Sequence, residues 1–87
     1  MVDKKILLAL SSPTRVTLLG CLKNKPKTVS ELLTSCSVTQ SAVSQHLKVL
    51  KEAGLLDSKK VGKQVYYSIK KPEVVDLYKI LIKLSKE

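Results

Sequence analysis

Apolar residues recur at helical spacing between Ser37 and Ala53 and divide this stretch into two unlike faces. The apolar face, which includes the only histidine of the chain, consists of Ala42, Val43, His46, Leu47, Val49, Leu50 and Ala53. The opposite face consists of Ser41, Ser44, Gln45, Lys48 and Glu52. Near its start, this second face carries small hydroxyl and amide side chains, which can approach base edges closely and exchange hydrogen bonds with them. A solvated surface helix that happens to be rich in Ser and Gln is the alternative.

Two further helical patterns precede this stretch at the start of the chain. Residues 3–11 predict a short helix. A second helix is predicted from Pro13 to about Lys23, with Ser12 as its N-cap, because Ser is a preferred capping residue and Pro is tolerated at the first helical position. Gly20 lies inside this helix at a cost of about 1 kcal/mol relative to Ala. Either a neighbouring backbone lies close to Gly20, or the fold tolerates the weakness.

A helix-turn-helix arrangement is predicted next. After a loop at residues 24–27, Thr28 and Glu31 form a capping-box pattern that begins a third helix. A turn of about four residues separates it from the fourth helix. Thr39 is the expected N-cap of this fourth helix, and Gly54 is the left-handed residue that ends it. We call the fourth helix the reading helix, because its polar face points to base recognition.

The segment after the reading helix predicts a β-hairpin with a basic tip. One strand is expected from Leu55 to about Lys60, residues 61–63 form the turn, and residues 64–69 alternate as a second strand. The basic residues at the tip and base of the hairpin are Lys59, Lys60, Lys63, Lys70 and Lys71. A hairpin in this position is the wing of a winged helix, and its lysines would lie along a phosphate backbone. Protection of a sheet edge against further pairing is the alternative.

The last helix, which begins at Pro72, carries an apolar face too wide for a single neighbour. The apolar residues are Val74, Val75, Leu77, Tyr78, Leu81, Ile82 and Leu84, and the polar ones are Asp76, Lys79, Lys83 and Lys86. We expect this face to pack both on its own domain and on a second copy of the chain. The residues predicted at that dimer interface are Leu7, Leu10, Val74, Leu77, Tyr78, Leu81 and Ile82, with Leu8 beside them. A helix that only caps its own domain is the alternative.

Together the elements predict a single domain over residues 1–87, mainly α with a β-hairpin, in the order α-α-α-α-β-β-α. Sixteen basic and seven acidic residues give a formal net charge of +9, which favours a polyanionic partner. Nucleic acid is the first choice, a membrane surface the second, and solubility alone is the alternative. No apolar run reaches the length of about 18 residues that a membrane span needs, and no signal peptide is evident, so a cytoplasmic protein is expected.

The chemistry-bearing residues are few and scattered. Cys21 and Cys36 lie fifteen positions apart in helical patterns, where a cysteine is usually a small buried hydrophobe. A redox pair is the alternative. Zinc would need about four ligands, so a zinc site at the single histidine is not expected. His46 is instead expected to be a partly buried residue held by a hydrogen bond. No nucleophile–His–acid set and no glycine-rich phosphate loop occur, so an enzyme is not expected.

The motifs resemble those of the ArsR/SmtB family of winged-helix repressors. The resemblance covers residues 10–69 and includes LSSPTRVTLLGCL, VSELLTSCSVTQSAVSQHLKVLKEAGLL and VGKQVYYSI. It implies a homodimer that binds a two-fold symmetric operator and blocks transcription. Metal-sensing members carry a Cys-x-Cys type motif where this chain has residues 28–31, and others place ligands that include His on the last helix, which here has no His. We therefore expect neither a metal nor another cofactor.

These observations predict a regulator that binds double-stranded DNA. The residues expected to contact DNA are Thr39, Gln40, Ser41, Ser44, Gln45, Lys48, Lys60, Lys63 and Gln64. A winged-helix module that binds proteins without reading DNA is the alternative. An RNA-binding protein would usually display aromatic stacking platforms, for which this chain has only three tyrosines. A membrane-surface role is disfavoured, because the charges do not form one face of an amphipathic helix.

Overall fold

The computed structural model describes residues 1–36 and 38–85, and within these ranges it contains five helices and three strands. In chain order they are α1 (Lys4–Leu10), α2 (Pro13–Leu22), β1 (Lys27–Thr28), α3 (Val29–Ser35), α4 (Gln40–Glu52), β2 (Leu56–Val61), β3 (Gln64–Ile69) and α5 (Pro72–Ser85). The winged helix-turn-helix order is confirmed, with α4 as the reading helix. Ser37, the first residue of the amphipathic stretch that ends at Ala53, and Lys86, predicted on the polar face of the last helix, lie outside the described residues.

The helices begin and end at the residues whose local chemistry predicts it. The Ser12 hydroxyl accepts from the backbone N–H of Arg15 at 3.4 Å and so caps α2. Thr28 and Glu31 form both bonds of the capping box, at 3.2 and 2.9 Å. The Thr28 N–H, donating to the Glu31 carboxylate, lowers the pKa of that carboxyl from its ordinary value of 4.5. After α4, Gly54 adopts a φ of 80°, as predicted for the residue that ends this helix.

Thr39 occupies the predicted N-cap position of α4 but does not cap it with its side chain. The Thr39 hydroxyl makes no capping hydrogen bond. Its backbone carbonyl instead accepts from the N–H groups of Ala42 and Val43, at 3.4 and 3.2 Å. The first N–H groups of the reading helix therefore lack a side-chain acceptor from Thr39.

The sheet has one strand more than the sequence predicted. Its order is β1-β3-β2 with antiparallel pairing throughout. Lys27, expected in a loop, pairs with Tyr67, and Thr28 pairs with Tyr66. A strand of two residues has no measurable alternation, so its pattern could not predict it. The hairpin itself is confirmed, and Gly62 provides the left-handed turn residue with a φ of 62°.

The core is built from aliphatic side chains of α2, α3, α4 and β2. Its largest fully buried members are Leu18, Leu19, Leu22, Leu32, Val43, Leu47, Leu50 and Leu56. The chain has no Phe or Trp, so close packing of these branched side chains supplies most of the apolar burial. Within the described ranges, none of the helices is by itself long and apolar enough to cross a bilayer, although α1 and α2 together, bent by 90°, meet the same length and composition criteria.

A neighbouring side chain explains why position 20 is a glycine. The sequence predicted either a close backbone or a tolerated weakness at Gly20, and both expectations are corrected. The ring of Tyr78, from α5, occupies the space that a Cβ at position 20 would need. The ammonium of Lys23 lies 5.6 Å from the centre of the same ring, within cation–π range. The missing side chain of Gly20 thus lets α5 seat its only tyrosine against α2.

The two cysteines are joined, which corrects the expectation that each is a separate buried hydrophobe. Cys21, in α2, and Cys36, the C-cap residue of α3, form a disulfide with their Cα atoms 6.5 Å apart. That separation lies within the usual range for a disulfide. The alternative interpretation of the cysteines as a redox pair is the one that this arrangement fits.

Candidate nucleic-acid interface

The reading helix presents the predicted polar residues to solvent. Val43, Leu47 and Leu50 are fully buried and seat the helix against α1, α2, α3 and β2. The residues predicted to contact DNA from this helix and its N-cap are all exposed, namely Thr39, Gln40, Ser41, Ser44, Gln45 and Lys48. All six predicted contact residues therefore lie on the outward side of a helix whose inward side is fixed in the core. Such a helix can enter a major groove without loss of core packing.

His46 is half-buried and hydrogen-bonded, as predicted, and its partner is Arg15. The Nη1 of Arg15 lies 3.3 Å from Nδ1 of His46. A guanidinium has donors only, so Nδ1 of His46 is the acceptor in this bond. This bond links α2 to the reading helix on the side opposite the exposed polar face.

Arg15 is the positioning residue that the sequence analysis missed. Its Nε donates to the carbonyl of Ala9 at 2.9 Å, and its Nη2 donates to the carbonyl of Leu8 at 2.8 Å. These carbonyls lie in the last turn of α1, and that of Leu8 also accepts from the N–H and the hydroxyl of Ser11, at 3.2 and 2.6 Å. One guanidinium thus joins α1, α2 and the reading helix. Arg15 is the only arginine among 16 basic residues, and that contrast was the one signal in the sequence that could have singled it out.

The hairpin presents the predicted lysines, although not all on one face. Lys60, Lys63 and Gln64 are exposed. Lys60 pairs with Val65, and the neighbouring pair is Val61 with Gln64. Because side chains alternate along a strand, Lys60 and Gln64 lie on opposite faces of the hairpin, with Lys63 in the turn between the strands. The structure therefore brings Lys60 and Gln64 to the same tip but not to the same face.

A hydrogen bond connects the end of the reading helix to the hairpin. The ammonium of Lys51, in the last turn of α4, donates to the hydroxyl of Ser58 in β2 at 2.6 Å. On the other side, Thr28 both pairs with β3 and caps α3. The hairpin is therefore held from two sides by the helix-turn-helix unit.

The predicted dimer residues divide into exposed and inward-facing groups. Leu7 is 56% exposed and Leu8 61% exposed. Val74, by contrast, is only 6% exposed and belongs to the core of its own chain. The expectation for Val74 is therefore revised, because almost none of its surface is available to a second copy. Tyr78 packs on Gly20 of its own chain and is half-buried.

Two residues extend the exposed apolar surface of α5 beyond the predicted set. Ile80 is 55% exposed and Leu84 64% exposed. Leu77 and Leu81 are half-buried, and the spacing of 77, 80, 81 and 84 places all four on one stripe of the helix. Leu10 and Ile82 are also half-buried, and Leu10 packs against the core. A continuous stripe of this kind on a small domain is typical of an interaction surface.

The described part of the chain offers no ready-made metal site. Among residues 1–36 and 38–85, no three side chains of His, Cys, Asp or Glu lie close enough together to share an ion. At the position where metal-sensing members carry thiols, Thr28 and Glu31 are engaged in the capping box. The side chains of Thr28 and Glu31 therefore stabilise the start of α3.

Comparison with known proteins gives a consistent result. The family model described as "Bacterial regulatory protein, arsR family" matches residues 12–58. A transcriptional repressor SmtB homolog of Synechocystis is 35% identical over 71 residues, which are 82% of this chain and 54% of that protein. This chain thus spans about half the length of the SmtB homolog.

Two further relatives are matched over more of their length. The transcriptional activator HlyU of Vibrio cholerae is 32% identical over 79 residues, covering 91% of this chain and 73% of HlyU. The crystal structure of the transcriptional repressor BigR from Xylella fastidiosa superimposes with a TM-score of 0.83 at 28% identity, covering 93% of this chain and 83% of BigR.

Proposed function

The chain belongs to the arsR family of bacterial regulatory proteins, and from this membership we propose that it is a transcriptional regulator that binds double-stranded DNA through α4. The observation that carries the proposal is the division of α4 into a buried apolar side and an exposed side whose first half, after the N-cap Thr39, consists of Ser, Gln and Lys. A regulator of this kind acts where the DNA is, so the proposal places it in the cytoplasm and gives it no catalytic role.

Base recognition is assigned to the first half of the reading helix. Gln offers the donor and acceptor pair that matches adenine in the major groove, so Gln40 and Gln45 are the proposed sequence readers. Ser41 and Ser44 lie on the same exposed side and would contact base edges or nearby phosphates. The N–H groups at the start of α4 and the hydroxyl of Thr39, which makes no capping hydrogen bond, are proposed to face a phosphate.

Phosphate contacts are assigned to lysines on the helix and on the wing. Lys48, Lys60 and Lys63 are exposed and would supply most of the salt-dependent affinity. Because Lys60 and Gln64 lie on opposite faces of the hairpin, we assign the phosphate contacts to Lys60 and Lys63 and give Gln64 a secondary role.

The proposed active form is a homodimer that pairs the exposed apolar surfaces of α1 and α5. Leu7 and Leu8 contribute from α1, and Leu77, Leu81, Ile82 and the two exposed residues Ile80 and Leu84 contribute from α5. Two reading helices would then enter successive major grooves about 34 Å apart. By covering a two-fold symmetric operator, the dimer would act as a repressor, without a metal or other cofactor.

Selection of bound fragments from random duplexes tests this proposal. We expect enrichment of a two-fold symmetric site, with specific binding at least ~10³-fold tighter than binding to random DNA. The double variant Gln45→Ala, Ser44→Ala should lose much of this preference while retaining its affinity for random DNA. Thr17→Ala, which removes an exposed hydroxyl on α2, is the matched control. Equal binding of the wild-type protein to every duplex would refute the proposal.

A further inference from the structure

The disulfide between Cys21 and Cys36 has no part in the DNA contacts proposed above. It crosses from the last turn of α2 to the residue that ends α3. Cys36 is 7% exposed, whereas Cys21 is half-buried and so the more accessible of the two. The cysteines lie fifteen positions apart in the sequence, so the bond closes a loop that contains the whole of α3.

The position of Cys36 places one end of this bond at the entry to the reading helix. Its N–H donates to the carbonyl of Leu32 at 2.9 Å, and its own carbonyl accepts from the N–H of Val38 at 2.9 Å. Thr39 follows directly and gives the helix no side-chain cap. The connection from α3 to α4 therefore depends on backbone bonds, on packing and on the covalent bond at Cys36.

We propose that Cys21 and Cys36 are a reversible oxidation site, and that their disulfide holds the start of the reading helix in the position that binds DNA. The disulfide form would then bind its operator more tightly than the dithiol form, because less conformational freedom is lost on binding. This inference rests on the proposed DNA-binding function. The oxidant belongs to the hydroperoxide class.

The chemistry balances in two steps. The thiolate of Cys21, the more accessible residue, attacks the peroxide oxygen, and the O–O bond breaks to give a Cys21 sulfenic acid and an alcohol, or water when the oxidant is hydrogen peroxide. The Cys36 thiolate then attacks the Cys21 sulfur, so the S–S bond forms and the S–O bond of the sulfenic acid breaks, and the released hydroxide is protonated to water. The two cysteine sulfurs lose two electrons and the peroxide gains them. A low-molecular-weight thiol reverses the change by disulfide exchange.

The test uses the full chain in its two redox states. The protein is treated with dithiothreitol or with hydrogen peroxide, the reagent is removed, and thiol alkylation followed by mass spectrometry gives the fraction in the disulfide form. Fluorescence anisotropy then measures the Kd for the selected duplex. We expect the disulfide form of the wild-type protein to bind about fivefold to tenfold more tightly than the dithiol form.

Two variants and a second readout complete the design. Cys21→Ser and Cys36→Ala should bind with one Kd under both treatments, near the value of the reduced wild-type protein; Cys21→Ser replaces the half-buried residue and so keeps the test usable if Cys36→Ala folds poorly. Hydrogen exchange at the N–H groups of Ala42 and Val43, which bond to the Thr39 carbonyl, should be slower in the disulfide form.

The outcomes separate this inference from the function on which it rests. Thiols that remain fully alkylatable after peroxide treatment, or a disulfide form that binds no more tightly than the dithiol form, would overturn the inference. If neither form binds any duplex although the disulfide forms and the exchange rates differ, the DNA-binding proposal fails and the oxidation site stands.

Discussion

Arg15 and His46 meet at 3.3 Å between Nη1 and Nδ1, and this contact joins the reading helix to the two helices at the start of the chain. The same guanidinium bonds two carbonyls of α1, so its planar array of donors serves three helices at once. Its partners, which also include the Ser11 hydroxyl, lie 4, 6, 7 and 31 positions away along the sequence.

Loss of this guanidinium should destabilise the fold and loosen the reading helix. We expect Arg15→Ala to lower the free energy of unfolding by about 2 kcal/mol, because two helix carbonyls and one ring nitrogen lose a charged donor. Arg15→Lys should recover only part of this, since an ammonium cannot reproduce the fork. Urea denaturation measures both. Lys4→Ala, which removes an exposed positive charge from α1, is the control for loss of a charge. Equal stability of Arg15→Lys and the wild-type protein would contradict the assigned role.

The wing lysines should control the salt dependence of DNA binding. If Lys60 and Lys63 each neutralise a phosphate, replacing both with Ala should reduce the slope of log K against log salt by about 1.8, since each contact on duplex DNA contributes about 0.9. The affinity should fall for all sequences alike. Titrations at several salt concentrations give the slope. Lys79→Ala together with Lys83→Ala removes the same charge from α5 and should leave the slope almost unchanged; an unaltered slope in the wing variant would exclude the contacts.

The apolar stripe of α5 should determine the oligomeric state. Ile80 and Leu84 are exposed in one chain, so changing both to Glu should leave the monomer folded while placing charges in the proposed interface. Sedimentation velocity should then report monomers where the wild-type protein gives dimers. Val61→Glu, which replaces another exposed apolar residue on the wing, should remain dimeric. A dimer that persists in the α5 variant would place the interface elsewhere.

Adding even a methyl group at position 20 should lower the stability of the fold, although helices usually favour Ala over Gly. Gly20→Ala would gain about 1 kcal/mol from helix propensity but would displace the ring of Tyr78, and overpacking of this kind typically costs about 1–3 kcal/mol. We expect a net loss of stability in the wild-type background and a gain in a Tyr78→Ala background. Thermal unfolding of the four proteins of this double-mutant cycle measures the coupling. Additive effects would show that the ring does not restrict position 20.

Glu31 should contribute to stability in a pH-dependent way. Its pKa is lowered in the folded state, chiefly by the hydrogen bond from the Thr28 N–H, so this contribution is present above the ordinary value of 4.5 and is lost as the pH falls through the lowered pKa. Glu31→Gln should therefore unfold at a Tm that depends less on pH in the acid range. Glu52→Gln, at the exposed end of α4, controls for loss of one negative charge. Parallel Tm curves for Glu31→Gln and the wild-type protein would contradict the prediction.

Local signals made most of the fold predictable from the sequence. Ser12, Thr28 and Gly54 each act within about four residues of their own position, and each begins or ends a helix as predicted. The exposed side of the reading helix followed from its 3.6-residue period in the same way. Thr39 shows the limit of this approach, since a preferred capping residue takes the right position without making the bond.

The features that were not predicted depend on contacts between distant parts of the chain. The bonds of Arg15, the pairing of β1 with β3 and the seat of Tyr78 on Gly20 all require the packed arrangement of the helices. The burial of Val74 belongs with them, because helical periodicity places it on an apolar face but cannot say which neighbour covers that face. For the same reason the sequence left the relation of Cys21 to Cys36 open.

Thr28 has a mechanical consequence that follows from its two roles. One residue pairs with the strand of the hairpin and also starts α3, so the wing cannot swing without pulling on the helix-turn-helix unit. The reading helix and the wing would therefore contact a duplex at a fixed distance from each other. DNA whose groove width does not match this distance would bind weakly whatever its bases, so the local shape of the duplex would contribute to specificity.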